Sequence, residues 1–365
     1  MRVVIILPTY NEKENIRPLF EKLFKIFKKI QTHQFKILVV DDHSPDGTAE
    51  IVKEFAKRNA SIYLLTGSKK GLGVAYVRGM RQAMKKLKAD VFFEMDADLS
   101  HQPNLIPAFL KEIEKGADFV IGSRYIKGGS IPGEWAWHRK LFSLVGNLIV
   151  RLGLMIFRIH DWSSGYRAIK TQVFTKVGQG LEKYPGYTFQ IAFLHRAIQS
   201  GFKIKEIPLN FIDRRYGKSK FIPLDYITNV LLYIFLNSSF IRFCLVGTIG
   251  FIINVFGLEV FYRLGFRPGS AAALGAELAI ISNFIFNNFW TFAYKKIKKG
   301  KGFLKKFFQF NSVSLGAIMI QWLVVGLGTS IFGDQTRFLF FTLAVVVFII
   351  PYSYFMYNRF IWKNS

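Results

Sequence analysis

In the stretch FFEMDADLSHQP, residues 92–103, an apolar run ends in two aspartates one residue apart, Asp96 and Asp98. A second apolar run, FKILVV, ends in the adjacent pair Asp41 and Asp42. Carboxylates gathered at a strand's end suit a hard divalent cation. Mg2+ and Mn2+ take oxygen ligands and commonly bridge a protein carboxylate to substrate phosphates. Asp is also a common turn and cap residue, and Asp-x-Asp alone is a weak signal. Two acidic ends converging on one sheet edge strengthen it, because like charges so placed repel without a cation or a donor between them.

The elements that must position these residues alternate in type over residues 1–220. RVVIIL is a short β-rich run closed by Pro8, and FKILVV, SIYLL and DVFFEM are further strands. Between them lie helical patterns. In ENIRPLFEKLFKIFKKI, Leu19, Leu23, Phe27 and Ile30 fall on one face, and TAEIVKEFAKR and VAYVRGMRQAMKKL have the same character. Strands alternating with helices predict βαβ units and a mostly parallel sheet. Such sheets bind ligands at the carboxyl ends of their strands. The loops there are PTYNE, DDHSPDGT and DADLSHQ, all polar and rich in carboxylates.

The 365-residue chain carries a net charge of +26 yet is 51% hydrophobic, with 39 Phe, which excludes disorder. So basic a chain invites a nucleic-acid reading, and the distribution of charge argues against it. After Phe240 the acidic residues are Glu259, Glu277 and Asp334 alone, and that region holds the long apolar runs. One cysteine, Cys244, excludes a disulfide framework and a multi-cysteine metal site. The apolar run before Pro8 is too short for a signal peptide.

With about 20 apolar residues needed per span, four spans are expected over 241–262, 270–293, 307–332 and 337–360. Lys295, Lys296, Lys298, Lys299, Lys301, Lys305 and Lys306 lie between the second and third. By the positive-inside rule that loop is expected in the cytoplasm, and four spans then place the N-terminal domain and the C-terminus there as well. Two further segments read as interfacial. One is IPLDYITNVLLYIFLNSS, 222–239. The other, 135–157, places Arg139, Ser143, Asn147 and Arg151 along one polar stripe of a helix, with Leu141, Leu144, Val145, Leu148 and Leu152 opposite.

PTYNE, VVDD followed by SPDGT, GLGVAYVRGM and DADLSHQP resemble glycosyltransferase family 2. GSRY, DWSSGYRA, GYTFQ and RRYGKSK narrow the resemblance to the dolichol-phosphate mannose synthases and their polyprenyl-phosphate relatives. The tail, with RFCLVGTIGFIINV and SNFIFNNFWTF, resembles the GtrA-like four-span membrane domain. The resemblance implies an α/β GT-A domain, Rossmann-like and mostly parallel, over 1–221, an interfacial helix over 222–239 and an all-α GtrA-like domain over 240–365. It implies an inverting, metal-dependent transfer of mannose from GDP-mannose to dolichyl or another polyprenyl phosphate at the lipid bilayer, with no nucleic-acid partner.

By the same resemblance, Pro8, Tyr10, Glu12, Val40, Asp41 and Asp42 hold the nucleoside, and Asp96, Ala97 and Asp98 face the ribose and diphosphate. Asp98 and Ser100 contact Mg2+ or Mn2+, at a position where some relatives have Gln instead of Ser. Arg124, Arg139, Ser143 and Arg214 match the acceptor-phosphate site, Arg214 and Lys220 meet the donor, and Asp98 completes the catalytic set. Many relatives carry Glu two residues after the FQ pair; Ala192 stands here, and Gln190 is the nearest group to orient the sugar. The residues fit that chemistry. Transfer to a hydroxyl needs a general base, whereas a phosphate acceptor is already anionic and needs positive charge and orientation. Two other readings stand beside it: a UDP-glucose-dependent glucosyltransferase, and flipping of the lipid-linked sugar by the membrane domain.

Overall fold

The computed structural model describes residues 1–213, 223–297 and 301–362. Arg214, Lys220, Lys298 and Lys299 lie outside the described residues. The chain forms two compact units, Met1–Leu152 with Ile156–Leu236, and Gly153–Met155 with Asn237–Ser365.

The first unit is built on a seven-stranded sheet: β1 (Arg2–Thr9), β2 (Gln34–Asp41), β3 (Ile62–Thr66), β4 (Val91–Glu94), β5 (Phe119–Ser123), β6 (Arg167–Lys170) and β7 (Ile204–Pro208). Their spatial order is β3-β2-β1-β4-β6-β5-β7. Strands β1 to β4 are mutually parallel where they pair, as are β5 and β7, and β6 runs antiparallel to both β4 and β5. The sheet is therefore mostly parallel, as the alternating pattern predicts. Val3, Ile5, Leu7, Ile37, Val39, Val91 and Phe93 are buried on one face of the sheet, and Val4, Ile6, Leu38, Val40 and Phe92 on the other, as both-face coverage by helices requires.

Helices α1 (Lys13–Phe27), α2 (Thr48–Arg58), α3 (Leu72–Lys85) and α4 (Ile106–Glu114) connect the parallel strands. In α1 the stripe Ile16, Leu19, Phe20 and Leu23 is buried, and Phe27 and Ile30 pack on the same core. Helix α5 (Trp137–Leu154) follows β5; α6 (Thr171–Val177), α7 (Gly186–Gln199) and α8 (Pro223–Asn237) follow β6 and β7. The register Pro8↔Val40 and Thr9↔Asp41 sets the ends of β1 and β2 level. Glu94 pairs with Ile6, so the turn after β4 starts beside the last residues of β1.

The amphipathicity of α5 is inverted. Asn147, on its polar stripe, is buried, and its amide accepts from the Trp162 N–H at 2.7 Å and donates to the Ser143 carbonyl at 2.8 Å. Leu141, Leu144, Val145, Leu148 and Leu152 are exposed. Within its own unit this helix turns its polar side inward and its apolar side out. On α8, Leu231, Leu232, Phe235 and Leu236 are likewise exposed.

The second unit is helical. Helix α9 (Ser239–Arg263) packs closely on α10 (Pro268–Phe286). A Cβ at Gly257 would stand 3.0 Å from the Gly275 Cα, so small residues permit this backbone approach. Helix α11 spans Lys301–Phe332. Among the described residues three helices are long and apolar enough to cross a membrane, Ser239–Arg263, Gly302–Phe332 and Leu339–Ile361. The expected span over 270–293 is α10 running into a π-helical turn, Asn287–Thr291. Asn288 closes that turn: its Oδ1 accepts from Ile297 N at 2.8 Å and from Trp362 Nε1 at 3.0 Å. On α11, Leu315, Ile318, Met319, Trp322, Leu327 and Ile331 are all exposed, the surface of a helix built for lipid. The chain is an integral membrane protein.

Candidate active site

The three polar loops after β1, β2 and β4 meet along adjacent carboxyl ends. Each contains one non-glycine residue in the left-handed region: Asn11 (φ 62°), His43 (φ 53°) and Leu99 (φ 67°). Such conformations cost about 1–3 kcal/mol each and cluster at ligand sites.

The second loop clasps the first. Asp41 is fully buried and accepts from Thr9 Oγ1 at 2.9 Å, Ser44 N at 2.9 Å and Ser44 Oγ at 2.6 Å. Ser44 Oγ accepts in turn from Asn11 N at 3.0 Å, and Thr48 Oγ1 from Glu12 N at 3.0 Å. Asp46 accepts from Lys13 N at 3.0 Å and from Thr48 N and Oγ1 at 3.0 and 2.6 Å. Burial pushes the Asp46 carboxyl up, but these hydrogen bonds outweigh it and hold it below its ordinary value. Asp42 meets Arg78 Nη2 at 2.6 Å. Gly67 makes room for that arginine, since a Cβ there would collide with the Arg78 guanidinium. Lys69 Nζ sits 3.4 Å from the centroid of the Tyr10 ring. Glu12 Oε2 accepts from Asn15 Nδ2 at 2.7 Å. Val40 and Ala97 have buried side chains, so only their backbone can face a ligand.

In the turn after β4, Asp98 is 6% exposed, and its Oδ1 accepts from Ser100 N at 3.1 Å and Ser100 Oγ at 2.6 Å. Asp96 is half-buried. Its N–H donates to His101 Nδ1 at 2.9 Å, so the ring's other nitrogen carries the proton and faces Asp96 Oδ2 at 3.8 Å. His101 stacks on Tyr166 with centroids 4.9 Å apart. Tyr76 donates from its hydroxyl to Asp96 Oδ1 at 3.4 Å. Burial drives that phenol's pKa far up, with Asp96 adding to the shift, so it remains a donor. Neither His101 nor Tyr76 is singled out in the sequence, although Tyr76 lies within GLGVAYVRGM and His101 within DADLSHQP.

Behind this turn Glu94 is fully buried and stands 3.9 Å from Arg167 Nε. Burial pushes its carboxyl up to about 7, with Arg167 and the nearby Gln190 amide pulling the other way.

Arg124 and Asp161 form a bidentate pair: Nε and Nη2 donate to the two carboxylate oxygens at 2.7 Å each. Nη2 also donates to Ser163 Oγ at 2.8 Å. Burial pushes the Asp161 carboxyl up, and Arg124 more than reverses it, leaving it below its ordinary value. The hydroxyl of Tyr125 contacts that of Ser143, which links Arg124's loop to α5. One turn earlier on α5, Arg139 donates through Nη1 and Nη2 to Asp213 at 3.0 and 3.2 Å and lies 3.8 Å over the Trp135 ring. The fold thus gathers Arg124, Ser143 and Arg139 along one connected surface, each arginine already facing a carboxylate. Among the described residues no group of three His, Cys, Asp or Glu could hold a metal unaided. The donors offered by the Asp98–Ser100 turn are oxygens, which fits Mg2+ or Mn2+ held by one carboxylate together with substrate phosphates.

Residues 4–178 match the glycosyl transferase family 2 model, and residues 242–362 match the GtrA/DPMS transmembrane domain. A dolichol-phosphate mannosyltransferase of Pyrococcus furiosus is 34% identical over 340 residues, covering 90% of this chain and 92% of its own. A polyprenol monophosphomannose synthase of Mycolicibacterium smegmatis is 38% identical over 221 residues, 60% of this chain and 80% of its own. An undecaprenyl-phosphate mannosyltransferase of Micrococcus luteus is 37% identical over 221 residues, 60% of this chain and 87% of its own.

Proposed function

The chain belongs to glycosyl transferase family 2, related over nearly its whole length to a dolichol-phosphate mannosyltransferase, and we propose that it moves mannose from GDP-mannose to a polyprenyl phosphate such as dolichyl phosphate, with inversion. The observation that carries the reading is the meeting of two acidic strand-end turns, after β2 and β4, with an arginine-bearing surface. One set suits a nucleotide sugar and its cation, the other a phosphate acceptor.

In this reading the β1 and β2 loops seat the nucleoside, with Tyr10 and Asp42 nearest it. Asp98, with Ser100 bracing its carboxylate, holds Mg2+ or Mn2+; when bound, the cation neutralises charge on the departing diphosphate. Asp96 faces the ribose and diphosphate. The acceptor phosphate is an anion before it arrives, so no general base is required. Arg139 and Ser143 orient it, and Arg124 supplies charge from its fixed pair with Asp161. Guanidinium suits this task because its planar fork matches phosphate oxygens. Arg214 and Lys220 keep their proposed donor and acceptor roles. A phosphate oxygen attacks the anomeric carbon from the face opposite the diphosphate, the bond to GDP breaks, and the configuration inverts.

The exposed apolar faces of α5 and α8 support an interfacial placement, which would bring a lipid-borne phosphate to the arginines. The lysine-rich loop supports a cytoplasmic catalytic domain and cytoplasmic termini. The test is Asp98→Asn in the full chain. Transfer of mannose should fall to background while GDP-independent stability holds, and EDTA should silence the wild type. Near-normal transfer by the variant in Mg2+ or Mn2+ would overturn the metal assignment.

A further inference from the structure

The turn after β4 and the acceptor arginines come from separate loops, and a side chain with no role in either lies between them. Phe211 follows β7 and is partly buried. Its ring meets that of His101 edge to face, with centroids 6.3 Å apart, and that of Trp135 in the same manner at 5.7 Å. Arg124 Cζ stands 5.7 Å from its centroid. Each neighbour leads to a group already described. His101 accepts from the Asp96 N–H, and Trp135 lies under the Arg139 guanidinium at 3.8 Å. A row of planar groups, Tyr166, His101, Phe211, Trp135 and Arg139, thus runs from the turn that carries Asp98 to the acceptor surface. Among the described residues Phe211 is the ring that packs against both halves.

The backbone beneath this ring is tied on both sides. Phe211 N donates to the Ser130 carbonyl and Ser130 N to that of Leu209, both at 3.0 Å, which joins the segment after β7 to the loop entering α5. Gln102 Nε2 donates to the Asn210 carbonyl at 3.0 Å, and the Gln102 carbonyl accepts from the Tyr166 hydroxyl at 3.0 Å. Aromatic pairs prefer particular mutual orientations, so the ring fixes angles as well as spacing, which an aliphatic side chain of similar volume does not. We propose that Phe211 is a positioning residue that sets the register between the Asp96–Asp98 turn and the acceptor arginines, so that the acceptor phosphate lies in line with the anomeric carbon of the donor. Each half keeps its own contacts without it. Ser100 braces Asp98, and Asp213 accepts from Trp135 Nε1 at 3.1 Å and from Arg139. Loss of the ring therefore spares the binding of either substrate and loosens their alignment. The inference rests on the family reading above and adds to it the residue that joins the two halves of the site.

Phe211→Leu in the full-length chain tests it, read as single-turnover mannose transfer with both substrates saturating. The rate should fall roughly ten- to a hundredfold, the cost of a misplacement of about 1 Å. GDP affinity by calorimetry and acceptor KM should each stay within about threefold, the split expected when alignment and not binding is lost. Phe211→Tyr keeps the ring and should transfer nearly as fast as wild type. Phe211→Met fills the space without a ring and carries the same prediction as the leucine variant should that one not fold. A folded leucine or methionine variant that transfers at the wild-type rate overturns the inference. So does GDP or acceptor binding that falls in step with transfer, a tyrosine variant as impaired as the leucine one, or failure of both ring-less variants to fold, which would make the ring structural. Each of these leaves the proposed activity standing, whereas a wild-type chain that transfers no mannose overturns both.

Discussion

Asp161→Asn is a direct probe of how the acceptor surface is held. Asp161 is fully buried and accepts five hydrogen bonds: Arg124 Nε and Nη2 at 2.7 Å each, Arg124 N at 3.0 Å, Ser164 N at 3.1 Å and Ser163 Oγ at 3.5 Å. Asparagine keeps the shape and one acceptor oxygen, but it turns an amide donor toward the guanidinium and leaves the Arg124 charge buried without a counter-charge. Breaking a buried pair from one side costs about 3–5 kcal/mol. The remaining acceptor argues for the lower end, about 3 kcal/mol. In a unit of this size that lowers Tm by roughly 6–12 °C. The assay is thermal unfolding of the purified full-length chain, reading the transition that GDP raises, since a ligand stabilises the unit that binds it. At a temperature where the variant is folded, acceptor KM should rise more than donor KM. A double variant with Arg124→Ala should lose less than the sum of the two single losses, because the residues act as one unit. A Tm shift under about 2 °C, or strict additivity, would refute the claim that Arg124 is set by Asp161.

Glu94→Gln should flatten the pH dependence of stability. With its folded pKa raised to about 7 from 4.5, Glu94 lets the folded state hold a proton that the unfolded state loses, so wild-type stability falls as pH rises from about 4.5 to about 7. The steepest slope is about 1.4 kcal/mol per pH unit, and unfolding midpoints at pH 5, 6 and 7 for both chains check it. Arg78→Ala, which strips Asp42 of its 2.6 Å partner, should weaken GDP binding about tenfold by calorimetry and leave acceptor KM near wild type. In a Cys244→Ser background, a cysteine at Lys296 should label from the cytoplasmic side and one at Asp334 from the opposite side; the reverse pattern contradicts the proposed orientation.

The first half of the catalytic unit was legible because its elements differ cleanly in period. Strands such as RVVIIL are continuously apolar, as strands covered on both faces must be, and α1 repeats its apolar residues at helical spacing. Strand β6 was not legible. It is four residues, Arg167–Lys170, and its first is a fully buried arginine whose charge meets the carbonyls of Trp162 and Ser164 just before it and of Gln190 on α7. The aspartate pairs were legible as a group, but their division of labour was not. Asp41 is a clasp between loops, a role set by Thr9 from the neighbouring strand. Arg124 read as a phosphate ligand, yet its carboxylate partner lies 37 residues on, a pairing no local pattern reveals. For α5 the spacing gave the stripe, and only packing shows which side of it faces the protein.

The most direct test of the account is transfer itself. The purified full-length chain is offered GDP-mannose and UDP-glucose, separately and in competition, with a polyprenyl phosphate and Mg2+ or Mn2+, and the lipid product is identified by mass. The account predicts polyprenyl phosphate mannose with inverted anomeric configuration, formed from GDP-mannose and abolished by EDTA. Glucose transfer at an equal or greater rate, or mannose transfer that persists without a divalent cation, would contradict it.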